Sequence, residues 1–69
     1  MTPEEVQDLI NKANELRRIH PALRQGQALT NILWHMNHEA YNQITGTEDD
    51  PFYVDERVDS FLAKIQQLN

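Results

Sequence analysis

Two segments that disfavour helix interrupt a chain whose apolar residues otherwise recur at helical spacing. One centres on Pro21, which disfavours a helical conformation at the residue before it, and the other runs from Gly46 to Pro51. Elsewhere apolar residues recur at steps of three and four, which places them on one face of a helix. The sequence therefore predicts an all-α fold, a small bundle of three main helices plus one short helix.

The first helix carries strong start and stop signals. Thr2 suits the N-cap, Pro3 the first helical position and Glu5 the reciprocal position of a capping box. We expect this helix to begin at Pro3 and to end around Ile19, before the proline break. Its predicted apolar face is Val6, Leu9, Ile10, Ala13 and Leu16.

The second helix is expected to start at Pro21 to Leu23 and to run to about Met36. Its predicted stripe is Ala22, Gly26, Leu29, Leu33 and Met36, widened by Ile32. A glycine inside a helix costs about 1 kcal/mol relative to alanine. Close approach of another helix at Gly26 is the usual compensation, and we expect it here.

The remaining helices follow from three polar or small residues. Asn37 is expected to end the second helix and to cap a short one, which Gly46 ends as a left-handed cap. Asp55 is the expected N-cap of the last helix, whose apolar face is Val58, Phe61, Leu62, Ile65 and Leu68. No linker is long enough to divide the chain, so residues 1–69 are expected to form a single helical domain.

The short length limits the core to a small one. A chain of 69 residues gains from pairing with a second copy, so a monomer or a homodimer formed through the last helix is expected. It has no Cys, no signal-peptide pattern and no apolar run that could span a membrane. We therefore expect a soluble cytoplasmic protein without disulfides.

The net charge of −5 is unevenly distributed. Residues 1–36 hold four basic and four acidic residues, whereas all five excess negative charges lie in residues 37–69. Because nonspecific nucleic-acid binding depends on cations, nucleic acid is not the expected partner. A protein with a basic surface fits the charge better.

No motif for catalysis, cofactor binding or metal binding is present. His35 and His38 are three residues apart, but Asn37 is expected to break the helix between them, and no third ligand is evident. The acids of residues 48–55 lack the order of a calcium loop, and no nucleophile accompanies them. We therefore expect a protein that is not an enzyme and needs no cofactor.

The acidic second half supplies the candidate protein-binding surface. Its residues are Glu48, Asp49, Asp50, Tyr53, Glu56 and Asp59. Phe52 and Tyr53 could instead both be packing residues, with Phe52 covering the core. Trp34 is likewise either a residue at the edge of the core, which we favour, or an exposed anchor for a partner.

A basic cluster with two alternative roles is formed by Arg17, Arg18, His20 and Arg24. They could contact phosphate groups, as in a nucleic-acid-associated regulator. An intramolecular role fits the acidic second half better, and the specific expectation is that Arg24 anchors the turn at Asp49 and Asp50.

Two segments carry a resemblance to a known group. They are His20-Pro21-Ala22-Leu23-Arg24-Gln25-Gly26-Gln27-Ala28-Leu29-Thr30-Asn31 and Thr45-Gly46-Thr47-Glu48-Asp49-Asp50-Pro51-Phe52-Tyr53-Val54-Asp55. Together they resemble small uncharacterised phage and prophage proteins with paired Arg-x-Gly-Gln-Ala-Leu and Gly-Thr-x-x-Asp-Pro-Phe-Tyr-x-Asp segments. On this chain the matching residues are Arg24, Gly26, Gln27, Asn31, Asp50, Pro51, Phe52, Tyr53 and Asp55.

The resemblance implies a phage origin, in which case the protein acts in the host cytoplasm, but it implies no activity. We expect noncatalytic binding of a protein, such as a host component that it modulates, with a nucleic-acid regulator or a structural phage component as alternatives. Gln27 and Asn31 lie one helical turn apart. They are either buried amides bonded to the backbone of residues 46–55 or a polar recognition strip.

Overall fold

The computed structural model describes residues 1–68 and is built of helices. Within this range the α-helices are α1 (Pro3–Ile19), α2 (Gln25–Met36), α3 (His38–Ile44) and α4 (Val58–Gln67). A 3₁₀ turn, Asp55–Arg57, leads into α4. Three longer helices and one short helix confirm the predicted all-α bundle.

α1 has the bounds that its local signals predicted. The Thr2 hydroxyl accepts from the Glu5 backbone N–H at 3.2 Å, and the Thr2 N–H donates to the Glu5 carboxylate at 2.8 Å. This second bond favours the charged carboxylate and lowers the pKa of Glu5. The capping box is therefore formed as expected.

α2 begins later than predicted. Pro21 and Ala22 lie in a turn that is closed by a hydrogen bond from the Leu23 N–H to the His20 carbonyl at 3.1 Å. Ala22 is exposed and lies outside the helix, so its assignment to the apolar stripe was wrong. The turn forms because proline favours tight turns as well as helix starts, and only the folded chain decides between the two.

α3 depends on two residues at its ends, as predicted. The Asn37 side chain accepts from the Ala40 N–H at 3.0 Å, and the Asn37 backbone N–H bonds to the last turn of α2. Gly46, which follows α3, has φ +80°, a conformation that favours glycine. One asparagine thus ends α2 and starts α3.

The core is formed by residues from all four α-helices. Its buried residues are Val6, Leu9, Ala13, Ala28, Leu29, Leu33, Ala40, Ile44, Val58, Phe61 and Ile65. Phe61 and Ile65, from the apolar face of α4, are fully buried. We had expected the apolar face of α4 to pair with a second copy of the chain. Phe61 and Ile65 of this face instead pack within the chain.

Residues 45–54, the connecting loop, dock against the first turn of α2. A Cβ atom at Gly26 would lie 1.9 Å from the carbonyl oxygen of Pro51, so only glycine fits there. Pro51 itself is fully buried. The close approach predicted at Gly26 is present, but the partner is the backbone of this loop instead of a helix.

Asp55 also joins α2 instead of capping the helix that follows it. Its Oδ1 atom accepts from the Gly26 N–H at 3.2 Å, one of the donors that a helix leaves unpaired in its first turn. The first turn of α2 contains no acid, so Asp55 supplies a negative charge at the positive pole of this helix. The expected N-cap role of Asp55 on the last helix was wrong.

Arg24 completes the contact, although not as predicted. Its Nη2 donates to the Phe52 carbonyl at 2.8 Å, and its Nε lies 3.9 Å from Asp55 Oδ1. Arg24 therefore contacts the chain at Phe52 and Asp55, and the expectation that it anchors the turn at Asp49 and Asp50 was wrong. We call Arg24, Gly26, Pro51 and Asp55 the loop anchor.

Replacing Gly26 by alanine tests the contact with Pro51. Alanine raises helix propensity by about 1 kcal/mol, but overpacking costs typically about 1–3 kcal/mol, and here the clashing atom belongs to the backbone. We expect Gly26→Ala to lower the free energy of unfolding in urea by more than about 1 kcal/mol. Gln25→Ala, at the exposed position beside it, should change that energy by less than about 0.5 kcal/mol. A stabilised Gly26→Ala protein would contradict this account.

Replacing Asp55 by asparagine tests its capping of α2. The change keeps a side-chain oxygen that can accept from the Gly26 N–H but removes its negative charge, and we expect a loss of about 0.3–1 kcal/mol in unfolding free energy. The Gly26 amide should also exchange with solvent faster in NMR measurements. Glu56→Gln removes the same charge one position along the chain and should leave Gly26 unchanged. Equal exchange rates in both variants would show that Asp55 does not protect this amide.

Candidate functional site

Most of the aromatic side chains lie outside the core. Of the chain's five Phe, Trp and Tyr residues, Phe61 is fully buried, whereas Tyr53 is 81% and Trp34 45% exposed. Tyr41 and Phe52 are half-buried. A small core would be expected to take in its largest apolar side chains, so their surface position needs another reason.

The rings on α2 and α3 form a continuous series. Trp34 contacts His35 and His38 edge to face, with ring centroids 4.9 and 5.1 Å apart, and His38 lies 6.0 Å from Tyr41. The series crosses Asn37, where one helix ends and the next begins. The expected position of Trp34 at the edge of the core was wrong, because its ring is exposed and packs on imidazoles.

A groove lies between the two helices and the connecting loop. We call it the aromatic groove; its volume is about 230 Å³, and its lining residues are Thr30, Tyr41, Thr45, Asp50, Phe52 and Tyr53. The rings of Phe52 and Tyr53 meet edge to face with centroids 4.7 Å apart. The interpretation of both as packing residues is wrong for Tyr53, which the solvent surrounds on most sides.

Hydrogen bonds fix the polar side chains of the aromatic groove. The Thr30 hydroxyl donates to the Gly26 and Gln27 carbonyls, and the Thr45 hydroxyl donates to the Tyr41 carbonyl. Each hydroxyl has a single proton, and these bonds use it. The hydroxyl oxygen can therefore form further hydrogen bonds only as an acceptor.

Asp50 folds the wall that carries Phe52. Its two carboxylate oxygens accept from the Gly46 N–H at 2.9 Å and from the Phe52 N–H at 3.0 Å. Aspartate favours turns through bonds of this kind. The expected turn at Asp50 and Pro51 is confirmed, and it sets the position of the aromatic pair.

A second groove adjoins the first. It has a volume of about 350 Å³ and is lined by Leu16, Asn31, Ile32, Trp34, His35 and Tyr41. Tyr41 lines both grooves. The two recesses are therefore parts of one surface that extends from Trp34 to Tyr53.

The predicted acidic residues divide into two groups. Asp49 and Asp50 are half-buried, and the Asp49 carboxylate accepts from the Ser60 hydroxyl. Glu48, Glu56 and Asp59 are exposed. The first two acids thus help to hold the connecting loop, and the side chains of the other three extend into solvent.

Of the residues that carry the resemblance, Arg24, Gly26, Pro51 and Asp55 form the loop anchor, and the Phe52 carbonyl bonds to Arg24. Gln27 Oε1 accepts from the Arg24 N–H of its own helix at 3.0 Å, and Asn31 is exposed. The hypothesis that both amides are buried against residues 46–55 is wrong. Local capping explains Gln27, whereas Asn31 lines the second groove and fits the alternative of a polar recognition strip.

The three arginines of the basic cluster make contacts within the chain. Arg18 pairs with Glu15, and this ion pair lowers the pKa of Glu15 and raises that of Arg18. Arg17 donates to the Leu23 carbonyl at 3.3 Å. Arg18 and Arg24 thus each have a carboxylate neighbour, whereas Arg17 bonds to a neutral carbonyl.

Sequence reasoning missed Tyr41 as a residue of the candidate site. A signal was present, because Trp34, His38 and Tyr41 continue a spacing of four and three residues across Asn37. We had treated Asn37 as a complete break in the pattern. The two helices in fact meet there without an intervening loop.

Two further features were sought among the described residues, a cluster of metal-ligating side chains and a membrane-spanning helix. Within residues 1–68, no three His, Cys, Asp or Glu residues lie close enough together to hold a metal ion. Every helix in the same range falls short of the length and apolar character that a membrane-spanning segment needs. Comparison with protein-family models, curated proteins and solved structures found no significant match.

Proposed function

We propose that this protein is a noncatalytic binding protein whose partner is another protein, held across the aromatic groove. The observation that carries the proposal is the 81% exposure of Tyr53 on a loop whose backbone is fixed. Exposed aromatic residues are enriched among those that dominate binding energy in protein interfaces.

The connecting loop is preorganised for such a contact. Asp50 bonds the backbone on both sides of it, Arg24 holds the Phe52 carbonyl, and the Arg57 Nη1 donates to the Asp50 carbonyl at 3.4 Å. A loop that is already ordered loses little conformational entropy on binding. Tyr53 and Phe52 can therefore contribute most of their contact energy to affinity.

The charge of the surface favours a basic partner. Glu48, which precedes the groove residue Asp50 in the sequence, is exposed. Glu56 and Asp59 are exposed as well. Exposed charges near an interface mainly accelerate association and select the partner. The resemblance to phage proteins would make the partner a host protein in the cytoplasm.

The same features disfavour the alternative of a nucleic-acid regulator. Affinity for nucleic acid depends on cations that displace the counterions of phosphate groups. Arg18 is paired with Glu15, and Arg24 lies near Asp55. The aromatic groove contains a carboxylate, which would repel a phosphate backbone.

Tyr53→Ala tests this function in a capture experiment with a bacterial lysate. We expect the unchanged chain to capture a partner protein from the lysate. The variant should capture at least about tenfold less of that partner, because Tyr53 would be a central contact. The unfolding free energy should change by less than about 0.5 kcal/mol, since the side chain is exposed. Bound protein would be quantified by mass spectrometry at low and high salt.

Ile19→Ala is the matched control. Ile19 is also a large exposed apolar residue, at 60% exposure, but it lines neither groove. This variant should retain the same protein as the unchanged chain. The proposed function would be contradicted if Tyr53→Ala retained as much of this protein as the unchanged chain does, or if salt did not affect the amount retained.

A further inference from the structure

We infer that the aromatic groove receives an arginine side chain of the partner protein. This inference rests on the proposed function and specifies the chemistry of its contact. It depends on three properties of the groove: its size, the type of hydrogen-bonding group it offers, and its charge.

The size fits one side chain. The aromatic groove has a volume of about 230 Å³, below the range of roughly 300–1,000 Å³ that is typical of sites for drug-sized ligands. It is also open to solvent at Tyr53. An extended side chain that enters from a neighbouring protein meets both conditions.

The polar groups that line the groove are mainly acceptors. The hydroxyl protons of Thr30 and Thr45 are directed to backbone carbonyls, and the carboxylate of Asp50 can only accept. Their remaining capacity consists of oxygen lone pairs. The complementary ligand is therefore rich in donors.

The charge indicates that this ligand is a cation. Among the ion pairs within residues 1–68, none includes Asp50. The nearby Arg24 and Arg57 bond to the Phe52 and Asp50 carbonyls instead. The hydrogen-bond partners of the Asp50 carboxylate are thus backbone N–H groups, and no salt bridge from the described residues occupies it.

The aromatic rings distinguish arginine from other cations. Tyr41 comes from α3 and the Phe52–Tyr53 pair from the connecting loop, so rings from two elements line one recess. The interplanar angle of that pair is 75°, which gives the groove ring surfaces in more than one direction. A planar guanidinium can stack on a ring and still donate to a carboxylate, whereas an ammonium acts as a compact point charge.

Two five-residue peptides test the inference directly. They are acetyl-Gly-Gly-Arg-Gly-Gly-amide and the same peptide with citrulline, which keeps the shape of arginine but carries no charge. Binding would be followed by ¹⁵N NMR shifts of the full chain. We expect the arginine peptide to bind at least about tenfold more tightly and to shift the amides of Tyr41, Thr45, Phe52 and Tyr53.

Variants at Tyr53 separate the ring from the general surface. Tyr53→Phe should keep the preference for arginine over citrulline, because it keeps an aromatic face, and Tyr53→Leu should reduce it. Ile19→Ala should behave as the unchanged chain. These exposed substitutions leave the core intact, and circular dichroism would check that each variant is folded.

The inference would be overturned by equal binding of the two peptides, by tighter binding of a third peptide with lysine in place of the arginine, or by shifts of the same amides with a DNA or RNA oligonucleotide. Equal binding together with Tyr53-dependent capture of a lysate protein would leave the proposed function standing. Loss of the Tyr53 dependence in the lysate would remove that function as well. The two failures are therefore distinguishable.

Discussion

The contact between Gly26 and the Pro51 carbonyl is the constraint on which the rest of this structure depends. A Cβ at position 26 would lie 1.9 Å from that oxygen, so the connecting loop can reach α2 only because the side chain is absent. The approach brings Asp55 to the Gly26 N–H and the Phe52 carbonyl to Arg24. Without it, the wall of the aromatic groove would lack its support.

The loop anchor also shows why a cap cannot always be assigned from neighbouring residues. Every helix start leaves backbone donors that need an acceptor. In α1 the acceptor is local, since Thr2 and Glu5 bond each other's backbone. In α2 it is Asp55, 29 residues away from Gly26. Both helices need an acceptor for the unpaired N–H groups of their first turn. The residue that supplies it is one that lies nearby in the fold, even when it is distant in the sequence.

That distinction explains which features were predictable from the sequence. The bounds of α1, the double role of Asn37 and the end of α3 near Gly46 depend on bonds within a few residues, and all were predicted correctly. The late start of α2 and the partners of Arg24 depend on contacts between distant segments. The aromatic groove belongs to the second kind, because it needs α3 and the connecting loop together.

The distribution of aromatic residues links stability to binding. An aromatic side chain can bury about 150–250 Å², so a small chain gains much by placing such residues in its core. Here the core takes Phe61 and aliphatic residues, while Trp34 and Tyr53 remain exposed. The loop anchor and Asp50 meanwhile order the backbone that carries Phe52 and Tyr53. Ordering this loop costs entropy during folding, and that cost would then no longer reduce the affinity for the proposed partner.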